Sequence, residues 1–287
     1  MKKPLLYAMT AVVSFLLCAD AFACTRSVRV MSFNVRIQID SDTGKQNWEA
    51  RKQACVNAVM KYKPDLIGLQ EPTYSQRHYL AEELPIYEIV EKCTGLSAGD
   101  NDVRNVGNPI LFRKDRFELL DCGFFWLNED QTPYRKGWDA AYPRHVNWVK
   151  LRHRKSGQVI FFFNTHFDNE GSIARSRSSV ILVDKIKEIA GDGATVFLAA
   201  DFNVPGDDDA LEPLNSYMKR TSIAAAKPDL IPSYNAFGRT DDSPMLIDHI
   251  FCRNAKVRSF KVVDGHRFGV DYISDHYPVY SDFFLPF

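Results

Sequence analysis

The sequence lacks an excess of charge of either sign, a zinc-binding cysteine spacing, and any repeated or low-complexity segment. Its 36 lysines and arginines balance 36 aspartates and glutamates. It therefore lacks the broad positive field of a non-specific nucleic-acid binder, although a local basic groove is compatible with this balance. None of the six cysteines stands in a CxxC or Cys/His cluster, which argues against a thiolate metal site. No linker divides the chain, so we expect residues 24–287 to form one domain.

The N-terminus has the pattern of a secretory signal peptide. The basic start Met1-Lys2-Lys3 precedes an apolar run that ends at Leu17, and Ala21-Phe22-Ala23 supplies the small residues that a signal peptidase requires. The apolar run is too short to span a membrane comfortably. We therefore predict a signal peptide over residues 1–23 and an exported protein, either periplasmic or secreted.

Cysteine chemistry leaves one alternative open at the predicted cleavage site. The segment Ala21-Phe22-Ala23-Cys24 faintly resembles a lipid-attachment motif but lacks the usual leucine, so a lipid anchor on Cys24, making a membrane-anchored lipoprotein, competes with plain cleavage. Five cysteines remain after cleavage, an odd number for an oxidising compartment. Lipidation would leave four that are able to pair: Cys55, Cys93, Cys122 and Cys252.

Segments with strand periodicity and segments with helix periodicity follow one another along the chain. We predict strands over 28–35, 65–72, 109–113, 117–126, 146–151, 158–166, 195–201, 246–252, 257–263 and 277–284, and helices over 47–62, 75–84 and 173–190. We expect segments 109–113 and 117–126 to pair with each other as strands. Segments 146–151 and 158–166 are expected to form a hairpin. This order favours the α+β class, with two packed sheets and the helices outside. The long loops 91–108 and 128–144 are typical of binding surfaces.

Polar side chains appear where the apolar strands end. They are Asn34, Glu71, Asn164, His166, Asp168, Asp201, Asn203, Asp248, Asp275 and His276. Each alone is compatible with ordinary turn chemistry. Together they predict one rim of one sheet, where a cation site and a proton-transfer site can be assembled.

Two of these groups carry geometric expectations. Asp201 and Asn203 are two residues apart, so in an extended chain they point the same way. Asp275 and His276 are adjacent and point to opposite sides, so each needs its own partner. Asp248 is a candidate partner for His276, because a carboxylate on the far ring nitrogen fixes the tautomer and stabilises the imidazolium.

The ordered set of motifs resembles the endonuclease/exonuclease/phosphatase superfamily over nearly the whole of residues 24–287. The motifs are Ser32-Phe33-Asn34-Val35, Gln70-Glu71, Asn164-Thr165-His166-Phe167-Asp168, Asp201-Phe202-Asn203, Ile247-Asp248-His249-Ile250 and Ser274-Asp275-His276. The resemblance is closest to bacterial members near the Ccr4-like exonuclease branch, with Gly137 to Arg144 as a branch-like loop. It implies a DNase I-like, four-layered α-β-β-α sandwich whose two mixed, mostly antiparallel sheets are flanked by helices. It also implies divalent-metal hydrolysis of phosphate esters.

The resemblance also suggests a role for each residue. Asn34, Glu71 and Asp275 would hold Mg²⁺ or Mn²⁺. Asp201 with Asn203 would orient and deprotonate the attacking water, and His276, held by Asp248, would stabilise the phosphate or act as the base. His166, assisted by Asn164, would contact the developing phosphorane charge. Which group moves which proton stays open. Arg144 is a candidate phosphate clamp or a solvated loop residue, and Asp168 is expected to support the site from behind.

Two departures from the family pattern bear on substrate fit. Ala200 replaces the usual glycine before Asp201, and Asn169 stands where near relatives often have a second histidine. We expect a metal-dependent phosphodiesterase, nuclease-like and including 3′–5′ exonuclease action on nucleic acid. A phosphomonoesterase or a phospholipid head-group (sphingomyelinase-like) hydrolase is the alternative, favoured by export and by the missing positive charge. A catalytically silent binding protein is disfavoured, because no expected catalytic position is substituted. A monomer is expected.

Overall fold

The computed structural model describes residues 26–92, 106–131, 134–239 and 243–286. The predicted signal peptide, Cys24 and Cys93 lie outside these residues. In the described part, Cys55, Cys122 and Cys252 are free thiols, so these three do not pair with one another. No helix within the described ranges is long and apolar enough to cross a membrane.

Two six-stranded sheets form the centre of the described chain. The first has the spatial order β11 (Lys256–Val262), β12 (Val279–Phe284), β1 (Ser27–Asn34), β2 (Leu66–Gln70), β4 (Ile110–Arg113) and β3 (Tyr87–Val90). The second has the order β5 (Phe117–Trp126), β6 (His145–His153), β7 (Val159–His166), β8 (Thr195–Asp201), β10 (Asp248–Arg253) and β9 (Lys219–Arg220). The pairs β1–β2 and β7–β8 are parallel and the other neighbours are antiparallel.

Apolar side chains from the facing surfaces of the sheets form the central core. Val30 and Phe112 of the first sheet pack in one cluster with Phe162 and Phe197 of the second. The ring centroids of Phe197 and Phe283 lie 4.7 Å apart between the two sheets. Burial of these residues is the main force that holds the two sheets together.

Helices cover both outer faces. On the first sheet, α1 (Trp48–Tyr62) begins at Asn47, whose side chain accepts from the Glu49 amide, and α2 (Tyr74–Glu83) begins with a Thr73–Gln76 capping box. On the second sheet lie α3 (Ser172–Ala190) and the short α4 (Glu212–Tyr217); α5 (Thr221–Ala224) follows β9. The layers are therefore α-β-β-α, as the resemblance implied.

The strand pair expected over 109–113 and 117–126 is wrong. β4 pairs with β2 and β3, whereas β5 pairs with β6 in the other sheet. Arg116, in the connection, donates to the buried Asp65 carboxylate (2.6 Å) and to the Ser27 carbonyl (2.6 Å). These bonds fix the crossing between the sheets. The hairpin of β6 and β7 is confirmed.

Candidate active site

The predicted rim is built by both sheets rather than by one. Asn34 ends β1 and Glu71 follows β2 in the first sheet, whereas His166, Asp201 and Asp248 end or begin strands of the second. A hydrogen bond from Nδ2 of Asn34 to Oδ2 of Asp201 (3.0 Å) links the sheets directly. The site therefore lies at the edge of the sandwich, where the two layers meet.

Asp201 is the centre of this arrangement. In the β-ladder it is paired with His166 of parallel β7 and with Asp248 of antiparallel β10. Its Oδ1 accepts a hydrogen bond from the backbone amide of Asn203 (2.9 Å), in the turn that follows β8. Its Oδ2 lies 3.4 Å from Nε2 of His166 and 3.6 Å from Nε2 of His276. The carboxylate is buried, so every neighbour affects its ionisation.

The two histidines differ in charge. Burial alone would lower the pKa of His276, but the charges of Asp248 and Asp201 outweigh burial and raise that pKa well above its usual value. Burial lowers the pKa of His166 well below its usual value, and the charge of Arg144 adds to this effect. His276 is therefore a cation and His166 is neutral. Nδ2 of Asn203 lies 2.9 Å from Nε2 of His166 and also donates to the Phe167 carbonyl (2.9 Å).

Left-handed backbone conformations aim the polar side chains at the strand ends. Glu71 has φ 68° directly after β2, and Asn203 has φ 56° two residues after β8. Residues other than glycine seldom adopt these angles, and such strain concentrates at functional sites. In both places the turn brings a polar side chain to the rim.

An acidic pocket lies beside Asp201. Asn34 donates to Oε1 of Glu71 (2.9 Å), and the amide of Ile37 donates to Oε2 (2.9 Å). Burial raises the pKa of Asp275, the positive charge of His276 opposes this, and the nearby charge of Glu71 adds to the rise. Two carboxylates that line the same part of the cleft, with an amide oxygen beside them, form a set of hard donors, which fits Mg²⁺ or Mn²⁺. The side-chain oxygen of Asn34 accepts a hydrogen bond from the backbone amide of Arg36 (2.9 Å). To bind a metal ion, the Asn34 side chain must therefore rotate, or its oxygen must be shared between the ion and this hydrogen bond.

Asp168 holds the loop that carries Arg144. Its carboxylate accepts from the backbone amides of Ala141 (2.9 Å), Tyr142 (3.0 Å) and Gly171 (2.8 Å), and from Nε of Arg144 (3.3 Å). Although burial would raise the pKa of Asp168, these donors lower it. Asp168 is thus a buried support behind the site, and it orients Arg144 toward the cleft.

Asn164 does not fit the predicted substrate contact. It is fully buried between the sheets. Its Nδ2 donates to the carbonyls of Leu69 (2.7 Å), Asn108 (3.0 Å) and Pro109 (3.0 Å), and its Oδ1 accepts from Gln70 (2.7 Å). Because a Cβ at residue 68 would collide with this amide, Gly68 is required for the close approach. Asn164 joins the sheets beneath the site.

The two departures from the family pattern lie in different places. Ala200 is fully buried and packs in the cluster between the second sheet and its helices, so it does not face the cleft. Asn169 is exposed at the cleft, where its Oδ1 accepts from Nη2 of Arg144 (3.1 Å). Only Asn169 is therefore in a position to affect substrate fit directly.

A cleft of about 710 Å³ exposes these groups. Seven predicted residues line it: Glu71, Arg144, His166, Asp201, Asn203, Asp275 and His276. Asn34, Asp168 and Asp248 lie behind them. Sequence reasoning missed Arg36, His145 and Tyr234, which also line the cleft. Arg36 had one usable signal, since it lies two residues after Asn34 and so on the same side of an extended chain.

Comparison with known proteins agrees with this architecture. The model of the Endonuclease/Exonuclease/phosphatase family matches residues 31–276. Two uncharacterized proteins of Acanthamoeba polyphaga mimivirus are each 23% identical. The first match spans 59% of this chain and 29% of the viral protein. The second spans 81% of this chain and 90% of the viral protein.

Solved structures share nearly the whole fold. An endonuclease/exonuclease/phosphatase from Bacteroides vulgatus has 29% identity and a TM-score of 0.81, covering 91% of this chain and 99% of that one. A mannosyl-6-phosphatase from Bacteroides thetaiotaomicron has 26% identity and a TM-score of 0.80, covering 89% and 99%. D. rerio TDP2 with a single-strand DNA product has 19% identity and a TM-score of 0.70, covering 90% and 98%, a likeness of fold alone. The chain belongs to the endonuclease/exonuclease/phosphatase family, whose members hydrolyse phosphate esters.

Proposed function

We propose that this protein is a divalent-metal-dependent phosphomonoesterase that acts on a small phosphate ester with a ring in its alcohol part, such as a sugar phosphate. The observation that carries this is the lining of the cleft. Among the described lining residues there are three arginines and no lysine, while Trp126, Tyr134, Tyr142 and Tyr234 supply aromatic surface. The side chains of Tyr134 and Tyr142 are 43% and 53% exposed. Such walls suit one ring better than a long polyanion, which requires a basic track.

The comparisons support the same choice. The relative named a mannosyl-6-phosphatase is 26% identical over most of both chains, whereas the DNA-bound neighbour supports the fold alone. The second candidate is a phosphodiesterase acting on nucleic acid. It is favoured by Tyr142, which lies under the guanidinium of Arg144 (5.4 Å from the ring centroid) and can stack on a base.

The chemistry follows from the charges in the cleft. Asn34, Glu71 and Asp275 would hold the divalent ion, which when bound neutralises charge on the phosphate oxygens. Asp201, oriented by Asn203, accepts a proton from the water that attacks phosphorus, while the ester P–O bond breaks and the leaving alkoxide takes a proton from solvent water. The cationic His276 donates to a phosphate oxygen through Nε2, while Arg144 binds another oxygen and His166 contacts the phosphate as a neutral ring.

Substrate assays test this function. The purified protein is given Mg²⁺ or Mn²⁺ and is offered mannose 6-phosphate, p-nitrophenyl phosphate, bis-p-nitrophenyl phosphate, single-stranded DNA and RNA, and sphingomyelin. We expect turnover of the two monoesters, its loss with EDTA and its recovery with added metal. Turnover of diesters or lipid alone would overturn the monoesterase proposal. No metal-dependent turnover of any substrate would favour a silent binding protein.

The N-terminal pattern supports action outside the cytoplasm. We propose that residues 1–23 are removed on export, which would bring the enzyme to extracellular or periplasmic phosphate esters. The mass of the mature N-terminus tests this, since an unprocessed Met1 would contradict it and a lipid-sized increase on Cys24 would identify an anchor.

A further inference from the structure

Arg36 places a permanent positive charge in the acidic pocket. It lies two residues after the end of β1 with φ 60°, and its side chain lines the cleft. Nη1 lies 3.6 Å from Oδ2 of Asp275. Burial would lower the pKa of Arg36, but its bond to Asp42 and the charges of Asp275 and Glu71 raise it. The group is therefore a cation at every accessible pH.

Asp42 fixes the direction of this guanidinium. Nε of Arg36 donates to Oδ2 of Asp42 (2.9 Å), and Nη2 donates to Oδ1 (3.2 Å). Asp42 is itself buried. A two-point pair of this kind holds the planar group in one orientation. Because Nε and Nη2 are bonded to Asp42, Nη1 is the nitrogen directed at the acidic pocket.

The charge balance of the pocket gives this cation a role. Glu71 and Asp275 attract divalent ions, but Arg36 already neutralises part of their charge. A second divalent ion in the same pocket would therefore be repelled by the guanidinium and would find less unpaired carboxylate charge. A guanidinium can also bind a phosphate oxygen, as a metal ion does.

We propose that Arg36 takes the place of a second metal ion: one divalent cation binds at Glu71, Asp275 and Asn34, and Nη1 of Arg36 contacts the substrate phosphate. This rests on the proposed phosphoesterase function, because it assigns Arg36 to the same phosphate. A purely structural clasp between Arg36 and Asp42 would make different predictions, since it would affect stability but neither ion stoichiometry nor phosphate affinity.

Direct binding measurements test the proposal independently of turnover. Mn²⁺ is titrated into the full-length protein by calorimetry, and inorganic phosphate is then titrated in the presence of Mg²⁺. For the wild type we expect one Mn²⁺ per chain. For Arg36→Met we expect either a second Mn²⁺ or binding of the first that is tighter by about threefold or more, since a like charge is gone. Phosphate affinity should fall by about tenfold, the value of one charged hydrogen bond.

Two matched variants separate charge from orientation. Arg36→Lys keeps the charge but loses the two-point pair, so we expect wild-type Mn²⁺ stoichiometry with weakened phosphate binding. Asp42→Asn frees the guanidinium and should also weaken phosphate binding while leaving one Mn²⁺ per chain. Two Mn²⁺ per wild-type chain, or an Arg36→Met protein that is less stable but unchanged in both titrations, would overturn the proposal. A protein that binds one Mn²⁺ and phosphate as expected, yet does not hydrolyse monoesters, would overturn only the proposed function.

Discussion

Nδ1 of His276 lies 2.8 Å from Oδ2 of Asp248, and both side chains are buried. The carboxylate accepts a hydrogen bond from Nδ1–H and stabilises the positive charge of the ring, which leaves Nε2–H directed at the cleft. On that side the ring lies 3.6 Å from Oδ2 of Asp201. A cationic donor and a buried carboxylate thus face the same space, which is the arrangement that a proton-transfer site with a phosphate substrate needs.

Replacing Asp248 with asparagine should reduce turnover while leaving the fold intact. The amide has the shape of the carboxylate but cannot stabilise an imidazolium, and its NH₂ group favours the wrong tautomer. We expect kcat to fall by about 10²–10⁴-fold with little change in KM, as in other carboxylate–histidine pairs. Steady-state kinetics at saturating Mg²⁺ measure this. Asp115→Asn, in the exposed turn after β4, is the matched control, and an Asp248→Asn enzyme with wild-type kcat would contradict the assignment.

The pH dependence of activity should report the ionisation of Asp201. Burial raises its pKa to about 7, against the opposing charge of His276. Only the ionised form accepts a proton from water, so kcat/KM should rise as pH rises toward 7 and level off above it. A bound divalent cation favours the ionised form, which places the midpoint at or below this value. A profile recorded with metal saturating at each pH checks this, and activity that rises as pH falls through this range would contradict it.

Replacing Asp168 with asparagine should loosen the loop that positions Arg144. The carboxylate accepts from four backbone amides and from the Arg144 guanidinium. An asparagine side chain would turn its NH₂ donor toward one or more of these donors. We expect KM for a phosphate ester to rise by about tenfold, equal to the loss of one charged hydrogen bond. We also expect a lower melting temperature and a smaller change in kcat. A change in kcat alone would indicate that Asp168 acts on the chemistry directly.

Local patterns in the sequence predicted the strand ends well because a polar residue after an apolar run is a local signal. In this way Asp201, Asn203, Asp275 and His276 were predicted at the rim, and in the structure all four line the cleft. The number of sheets at the rim was not predictable, since strand order along the chain does not say which strands pair. The burial of Asn164 was not predictable, because alternation places it on the same strand face as His166 but does not show that the facing sheet covers it. Arg36 was missed because its partner Asp42 lies in a loop without periodicity.

Replacing Asn164 with alanine should affect stability far more than catalysis. The side chain bonds the carbonyls of Leu69, Asn108 and Pro109 and accepts from Gln70, all in the buried space between the sheets. Truncation removes four buried hydrogen bonds, although Gln70, Asn108 and Pro109 keep other partners. At about 0.5–1.5 kcal/mol for each bond, we expect the free energy of unfolding to fall by roughly 3 kcal/mol. Denaturant unfolding measures this.

The matched control is Asn169→Ala at the exposed mouth of the cleft, where the side chain bonds Arg144. It should leave the free energy of unfolding within about 0.5 kcal/mol of the wild type and raise KM instead. At temperatures where the Asn164→Ala protein is folded, its kcat/KM should stay within about threefold of the wild type, a difference under 1 kcal/mol in transition-state binding. A folded Asn164→Ala protein with strongly reduced kcat/KM would return Asn164 to the substrate contact first expected of it.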